Sequence, residues 1–151
     1  MHKQIYVNLP VKDLAASKAF YEAVGYTFNP HFTNDKGAGL ELGENLYAML
    51  LTEDFARTFT PKTLIDNKTS TGGWMCLSCE SREEVDALVA KARAAGGNIP
   101  GKAEDHGFVY GHGFEDPDGH HWDFVWMDPE AVAGGAPELT LEEMRENTTH
   151  S

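Results

Sequence analysis

The chain repeats one supersecondary pattern, and this repeat constrains the fold more than any other feature of the sequence. A strand pattern, an amphipathic helix and three further strand patterns make up each half of the chain. The strand patterns of the first half lie at 5–9, about 26–32, about 37–42 and about 46–52. Those of the second half lie at 74–79, about 98–104, 107–115 and 121–127. Two such halves predict an α+β domain, in which two βαβββ repeats form curved mixed sheets around a cleft.

Both predicted helices carry sequence signals for their ends. Asp13 occupies the N-cap position of the first helix, and Gly25 lies near its end. Ser81 and Glu84 form a capping box at the start of the second helix, and Gly96 follows its last apolar residue. Apolar residues recur at helical spacing between these signals, so each helix is predicted to pack one face on a sheet.

A hairpin is predicted where Asp116-Pro117-Asp118-Gly119 separates the last two strands. Pro117 presets the backbone angle of the turn, and Gly119 tolerates a positive φ. Polar and bulky residues then alternate before the strand becomes apolar, as in a strand with one buried face. This pattern places the carboxylate of Asp123 within the sheet.

These elements predict one domain over residues 1–128, with repeat one at about 3–53 and repeat two at about 73–128. The stretch between the repeats is irregular, and a short helix is expected at 53–58. From residue 129 onward the composition shifts to Pro, Ala, Gly and Glu. We therefore predict an acidic tail over 129–151, with a short helix that 140–143 would cap.

The charge of the chain excludes two classes of partner. The formal net charge of -12 argues against nucleic acids and anionic membranes, because both are bound through basic surfaces. No apolar run approaches the roughly 20 residues that span a bilayer. The N-terminal residues enter a strand pattern directly, which leaves no room for a signal peptide. We expect a soluble, cytoplasmic protein.

Cys76 and Cys79 form a Cys-x-x-Cys motif, which is typical of a redox pair or of half a zinc site. The surrounding residues read as a strand, in which positions three apart point to opposite faces. A second cysteine pair is also missing from the sequence. We therefore favour two unrelated thiols over either motif.

Three motifs together resemble a known family. They are the stretch 8–14, the Phe20-Tyr21 pair in the first helix, and the Asp-Pro-Asp-Gly hairpin. The layout is similar to that of the glyoxalase / bleomycin-resistance / extradiol-dioxygenase superfamily, also called the vicinal oxygen chelate fold, over about residues 3–128. The resemblance implies a homodimer, with clefts that the partner subunit completes or covers. It specifies the fold and leaves the reaction open.

The resemblance also implies four positions for metal ligands. Enzymes of the family typically place one ligand on the first and last strand of each half, and the metal polarises two vicinal oxygens of the substrate. Carried over residue by residue, these positions fall on Tyr6, on Ala48 or Met49, on Trp74 and on Asp123. Only Asp123 is an ordinary ligand of a divalent cation. We therefore predict no metal site of the usual kind and no cofactor, with a divalent metal as the alternative.

Four histidines in the last third of the sequence offer another site. His106, His112, His120 and His121 could build a different metal centre. The interpretation that we favour is that His120 closes the turn and that His121 is solvated. His112 is the best candidate for a general acid or base, because the pKa of an unperturbed histidine suits that task.

The candidate site residues follow from these positions. Asp123 and His112 are the catalytic candidates. The candidates for ligand binding are Tyr6, Asn8, Trp74, Cys76 and Tyr110. A pocket of this kind is aromatic with few polar groups, which suits a small, partly apolar ligand. The alternative is that Tyr6 and Trp74 fill the space that a metal and substrate would occupy.

Three functions remain open from the sequence. The first is a small-molecule-binding or enzymatic member of the superfamily that works without the usual metal. The second is a metal-dependent lyase of the lactoylglutathione-lyase type, which the pattern of the whole chain resembles. The third is a non-catalytic module that sequesters a ligand or serves in protein interaction. The expected partners are a small molecule and a second copy of the chain.

Overall fold

The first half of the chain forms a four-stranded mixed sheet. The computed structural model describes residues 1–133, and every element below lies within that range. The strands are β1 (Ile5–Val11), β2 (Thr27–Asn29), β3 (Gly37–Gly43) and β4 (Leu46–Thr52). Their order is β1-β4-β3-β2, and β1 runs parallel to β4 while the other neighbours are antiparallel.

The second half forms a sheet of the same design. Its strands are β5 (Met75–Ser78), β6 (Glu104–Asp105), β7 (Val109–Glu115) and β8 (His121–Met127). Their order is β5-β8-β7-β6, and β5 runs parallel to β8 while the other neighbours are antiparallel. The predicted α+β fold with two βαβββ repeats is therefore confirmed.

The helices begin at the residues that the capping signals predict. In α1 (Leu14–Val24), the Asp13 carboxylate accepts a hydrogen bond from the Ala16 N–H at 3.0 Å, and Gly25 ends the helix with a φ of 115°. In α3 (Arg82–Ala94), the Ser81 hydroxyl accepts from the Glu84 N–H at 3.0 Å. Two shorter helices are α2 (Glu53–Ala56) and α4 (Pro129–Ala133).

The two long helices, α1 and α3, pack on one face of the sheets. The hydrophobic core lies between these helices and the sheets. On β1, Leu9 and Val11 are buried in this core, and on β8 the same holds for Trp122 and Phe124. Because side chains alternate along a strand, the residues between them point to the other face of each sheet. We call this second face, turned away from α1 and α3, the open face.

The hairpin of the second half docks onto the first half through a buried tyrosine. The Tyr21 hydroxyl donates to the Asp116 carboxylate at 2.6 Å and accepts from Trp122 Nε1 at 2.9 Å. The same carboxylate accepts from the backbone N–H groups of Asp118 and His120, at 3.0 and 2.8 Å. All three side chains of this group, which we call the clasp (Tyr21, Asp116 and Trp122), are buried.

Further hydrogen bonds tie the hairpin to the end of β1. The Asp118 carboxylate accepts from the Lys12 N–H at 2.9 Å and from the Ser17 hydroxyl at 3.2 Å. His120 is buried, and its Nε2 lies 2.7 Å from the Pro10 carbonyl oxygen, to which it donates. His120 therefore closes the contact between the two halves as well as the turn.

Two of the predicted strands are shorter than the sequence suggested. The strand expected at 98–104 is reduced to a bridge between Asn98 and Glu115 and to the two residues of β6. Pro100 lies within that stretch and has no N–H to donate to a ladder. The strand expected at 26–32 ends at Asn29, because a 3-10 turn begins at Pro30.

The predicted tail coincides only in part with the described residues. Residue 129, where the predicted tail begins, is the first residue of α4. The capping pattern at 140–143 lies outside the described part of the chain. The helix expected at 53–58 is present but spans four residues as α2. Within residues 1–133, no helix is long and apolar enough to cross a membrane.

Candidate functional site

Asp123 lies in the middle of the open face of the second sheet. Its register partner on β5 is Cys76, and its partner on β7 is Gly113. A Cβ atom at Gly113 would clash with the Asp123 carboxylate and with the Trp122 carbonyl oxygen. The missing side chain at Gly113 therefore makes the space that the carboxylate occupies.

Asp123 is hydrogen-bonded to His121, two residues earlier on the same strand. The His121 Nε2 and the Asp123 Oδ1 are 2.7 Å apart, and the two side chains are 32% and 40% exposed. This hydrogen bond raises the pKa of His121, partial burial opposes the rise, and the charges of Asp123 and Glu115 add to it. The pair is thus a histidine held by a carboxylate, with its Nδ1 turned away from that bond.

His121 is the functional candidate that the sequence reasoning missed. We expected it to be solvated, yet its ring is two-thirds buried, lies 6.3 Å from the Trp74 ring by centroids and bonds to Asp123. The signal was present in the sequence, because residues two apart on a strand share a face.

His112 and Tyr110 lie on the opposite face from Asp123, so we correct their grouping with it. The His112 Nε2 bonds to the Gly101 carbonyl oxygen at 2.8 Å, which holds the chain where a strand was expected. The Tyr110 hydroxyl donates to Asp86 at 2.5 Å. Both residues therefore contact the helix side of the sheet and do not share a site with Asp123.

Tyr110 also belongs to a cluster at the start of α3. The Arg82 guanidinium lies over the rings of Tyr110 and Trp126, at 5.2 and 5.1 Å, and forms an ion pair with Asp105 at 2.6 Å. The hydrogen bond to Asp86, together with burial, raises the pKa of Tyr110 to about 12. These contacts fix the end of the second sheet to α3, which is a structural role.

Tyr6 and Asn8 lie on the open face of the first sheet, as the period of the strand predicts. The Tyr6 ring stacks on Tyr47, with centroids 5.0 Å apart and planes 17° apart, and remains 48% exposed. At the fourth-strand position, Ala48 is buried in the core, so Met49 is the residue that shares the open face with Asn8.

A groove of about 340 Å³ lies beside the His121–Asp123 pair, between β1 and the second sheet. The linker between the halves, residues 63–73, supplies its third wall. It is lined by Asn8, Leu9, Pro10, Thr63, Leu64, Ile65, Asn67, Gly72, Gly73, Met75, His120 and His121. Of the residues predicted for ligand binding, Asn8 lines the groove directly, while Trp74 stands at its edge, 62% exposed and next to His121.

The hairpin holds the linker wall of this groove in place. Gly119 has a φ of 90°, and a Cβ atom there would lie 2.6 Å from the backbone carbonyl of Asn67. The glycine therefore serves the turn and also lets the linker approach the hairpin closely. The same hairpin contacts α1 through the clasp, so the groove forms where both halves and the linker meet.

Neither cysteine is paired or activated. Both thiols are free, and Cys76 is exposed on the open face. Burial, and then the charge of Asp123, raises the pKa of Cys76, while burial is the main cause that raises the pKa of Cys79 to about 11. Both therefore remain thiols at neutral pH, and neither has the low pKa of a nucleophilic cysteine.

The donor set does not suit a metal centre of the usual kind. In residues 1–133, no group of three or more His, Cys, Asp and Glu side chains is placed to hold one ion. The expected positions carry Tyr6, Met49 and Trp74 beside Asp123, and His120 is committed to the Pro10 carbonyl. The predicted lack of the usual centre and of a cofactor stays a prediction.

Comparison with known families agrees with this architecture. The sequence profile of the Glyoxalase/Bleomycin resistance protein/Dioxygenase superfamily matches residues 3–124. The chain belongs to this superfamily. The resemblance noted from the three motifs is therefore confirmed for the fold and the family. No curated protein matches the sequence.

Several solved structures have the same fold. The chain is 30% identical to hypothetical protein SA1046 from S. aureus, with a TM-score of 0.70, and the match covers 83% of this chain and 95% of that one. A glyoxalase/bleomycin resistance protein/dioxygenase family enzyme from Burkholderia phytofirmans PsJN is 22% identical, with a TM-score of 0.64 and coverage of 81% and 96%. The fosfomycin resistance protein FosX from Listeria monocytogenes is 20% identical, with a TM-score of 0.62 and coverage of 94% and 98%.

Proposed function

We propose that this superfamily member binds a small, partly apolar molecule in the groove between β1, the second sheet and the linker. The observation that carries the proposal is the His121–Asp123 pair at the edge of that groove. Asp123 engages Nε2 of the ring, which leaves Nδ1 for a ligand. Leu9, Ile65 and Met75 supply apolar walls.

The polar groups of the groove favour a ligand with an oxygen acceptor. In the described part of the chain, the side chains of Asn8 and Asn67 make no hydrogen bond, and both line the groove with His121. Amide N–H groups donate to a carbonyl or carboxylate oxygen, and so does Nδ1 of the protonated His121 ring, whose Nε2–H is already bonded to Asp123. We infer a small molecule with one such group and an apolar body that lies against the linker.

We propose further that the protein works without the four-ligand metal centre. Three of the four positions carry Tyr6, Met49 and Trp74, which are not ordinary ligands of divalent Ni, Zn, Fe or Mn. The purified protein, prepared without chelators, should carry no stoichiometric metal by elemental analysis. Stoichiometric Ni, Zn, Fe or Mn that is lost on Asp123→Asn would contradict this proposal and would favour the lyase.

Catalysis of the lactoylglutathione-lyase type is the second candidate, and the His121–Asp123 pair is the observation in its favour. A histidine held by a carboxylate can move a proton next to a carbonyl, as that isomerisation requires. The assay is turnover of the methylglyoxal–glutathione hemithioacetal, with and without added divalent metal. Turnover that His121→Gln abolishes would establish the lyase, whereas binding without turnover would establish sequestration.

Binding itself is tested with small aromatic carboxylates, of which benzoate is the first probe, and with benzyl alcohol as the uncharged counterpart. Trp74 stands beside His121, so its fluorescence should change on binding. We expect His121→Gln to weaken benzoate binding by about tenfold through loss of a charge-assisted hydrogen bond. The exposed His31→Gln is the matched control. Equal affinity in both variants would refute the role of His121.

We also propose a homodimer, which the exposed aromatic residues of the open faces support. Tyr6 is 48% exposed and Trp74 is 62% exposed. The Tyr6–Tyr47 stack lies on the surface of the first sheet. Such aromatic patches mark interaction surfaces. Light scattering on the full chain should give the mass of a dimer, and Tyr6→Lys should shift it toward the monomer. A monomer at every concentration would contradict the proposal.

A further inference from the structure

A second cavity lies on the helix side of the molecule, away from the groove. It measures about 480 Å³ and is open to solvent. The end of α1, the β2–β3 pair and one side of α3 form its walls. Its polar lining residues are Tyr26, Thr27, Glu41, Glu84 and Lys91, and its apolar lining includes Val24, Leu42 and Leu88. Thr27 and Glu41 are register partners that alternate with the core residues Phe28 and Leu40, so their side chains turn to the other face of the sheet and the polar side chains left to the cavity are Tyr26, Glu84 and Lys91.

The polar side chains of this cavity have unused bonding capacity. Within residues 1–133, the Tyr26 hydroxyl makes no hydrogen bond, and the Lys91 ammonium makes neither a hydrogen bond nor an ion pair. Every buried side-chain nitrogen or oxygen in that range has a partner, so the unbonded Tyr26 oxygen is in contact with solvent. One carboxylate oxygen of Glu84 accepts a hydrogen bond from the Glu80 N–H at 2.8 Å, and its second oxygen can accept from a ligand.

The opposite charges stand at two ends of the cavity. Glu84, Leu88 and Lys91 are spaced to lie on one side of α3, and seven residues of helix place the outer two about 10 Å apart along the axis. The Glu84 carboxylate marks one end. The Lys91 Nζ belongs to the other end, beside Gly25.

We propose that this cavity binds an elongated zwitterion, a molecule whose ammonium and carboxylate groups are separated by an apolar chain of several bonds. Its ammonium would donate to Glu84, and its carboxylate would accept from Lys91. The chain between them would lie against Leu88 and Val24. An α-amino acid holds its charges too close together to reach both ends, whereas an ω-amino acid of medium length spans them.

The test is a titration of the full chain with the ω-amino acids from glycine to 8-aminooctanoate, followed by amide NMR shifts around Gly25. We expect affinity to peak at a medium length, near 6-aminohexanoate. Hexylamine and hexanoate, which each lack one charge, should bind about tenfold more weakly. Absence of binding at every length, or affinity that does not depend on length, would overturn the proposal.

Variants at the two ends separate this site from other sources of binding. Lys91→Met and Glu84→Gln should each weaken 6-aminohexanoate binding by about tenfold. Glu84→Gln keeps an acceptor for the Glu80 N–H, so α3 keeps its cap. The exposed Lys102→Met and Glu83→Gln make the same charge changes elsewhere and should leave affinity unchanged. If all four variants bind equally, the cavity is not the site.

Discussion

Tyr21→Phe should destabilise the protein far more than the removal of one hydroxyl usually does. The Tyr21 side chain is 1% exposed, and its hydroxyl bonds to two buried partners, the Asp116 carboxylate at 2.6 Å and Trp122 Nε1 at 2.9 Å. The phenylalanine ring keeps the apolar packing and removes both bonds. The variant therefore isolates the polar part of the clasp.

The magnitude follows from the groups that lose a partner. Trp122 is 1% exposed, and its indole N–H would be left without an acceptor at a cost of about 1–3 kcal/mol. Asp116 is 4% exposed and keeps its backbone donors while it loses its shortest bond, at a similar cost. We therefore expect the free energy of unfolding to fall by about 2–6 kcal/mol, which is a large part of the stability of a domain of this size.

Urea unfolding followed by circular dichroism measures this change. The midpoint should fall while the slope with urea stays the same, because the surface exposed on unfolding is unchanged. Tyr6→Phe is the matched control, since it removes the same atom from a side chain that is 48% exposed, and it should change stability by less than about 0.5 kcal/mol. If Tyr21→Phe also costs less than about 1 kcal/mol, the clasp does not hold the halves together.

The remaining predictions concern the site. The pKa of His121, followed by NMR, should lie above its usual value of about 6.5 and should fall in Asp123→Asn, because the carboxylate hydrogen bond raises it. The stability from this pair is therefore present below pH about 6.5 and lost as the pH rises through the folded-state pKa; a pH profile unchanged by Asp123→Asn would contradict this. Gly113→Ala should lower the free energy of unfolding, measured in urea, by about 1–3 kcal/mol, because the new Cβ atom would clash with the Asp123 carboxylate. Gly111→Ala on the same strand is the control and should cost less, because its Cβ atom would make only ordinary van der Waals contacts. Gly119→Ala should displace the linker wall and weaken benzoate binding, and unchanged affinity would show that the wall plays no part.

Local signals in the sequence were sufficient for the order of the elements. Asp13 and Ser81 cap helices because their side chains bond to N–H groups within the next few residues, which needs no tertiary contact. The hairpin at 116–119 and the face of Asp123 follow likewise from turn chemistry and from the period of a strand. The shortening of the strand expected at 98–104 shows the limit of such signals, because Pro100 has no N–H for a ladder and a bond from the His112 side chain to the Gly101 carbonyl holds that stretch.

The candidate site was only partly predictable. Asn8 and Asp123 were found because each follows from the alternation of one strand. His112 was grouped with Asp123 although the two differ by one register step on paired strands, since Asp123 pairs with Gly113 and His112 pairs with Phe124. No signal along one strand reports the register of its neighbour, and that register decides which side chains meet.

By itself, the sequence determined that this chain is two βαβββ repeats of the superfamily, because hydrophobic period, caps and turns act between residues close in the chain. The tertiary structure alone decided what the halves build together. Hydrogen bonds about a hundred residues apart join Tyr21 to Asp116 and Lys12 to Asp118. The approach of the linker to Gly119 completes the groove beside His121. Such contacts depend on the relative position of packed elements, and local pattern does not encode it.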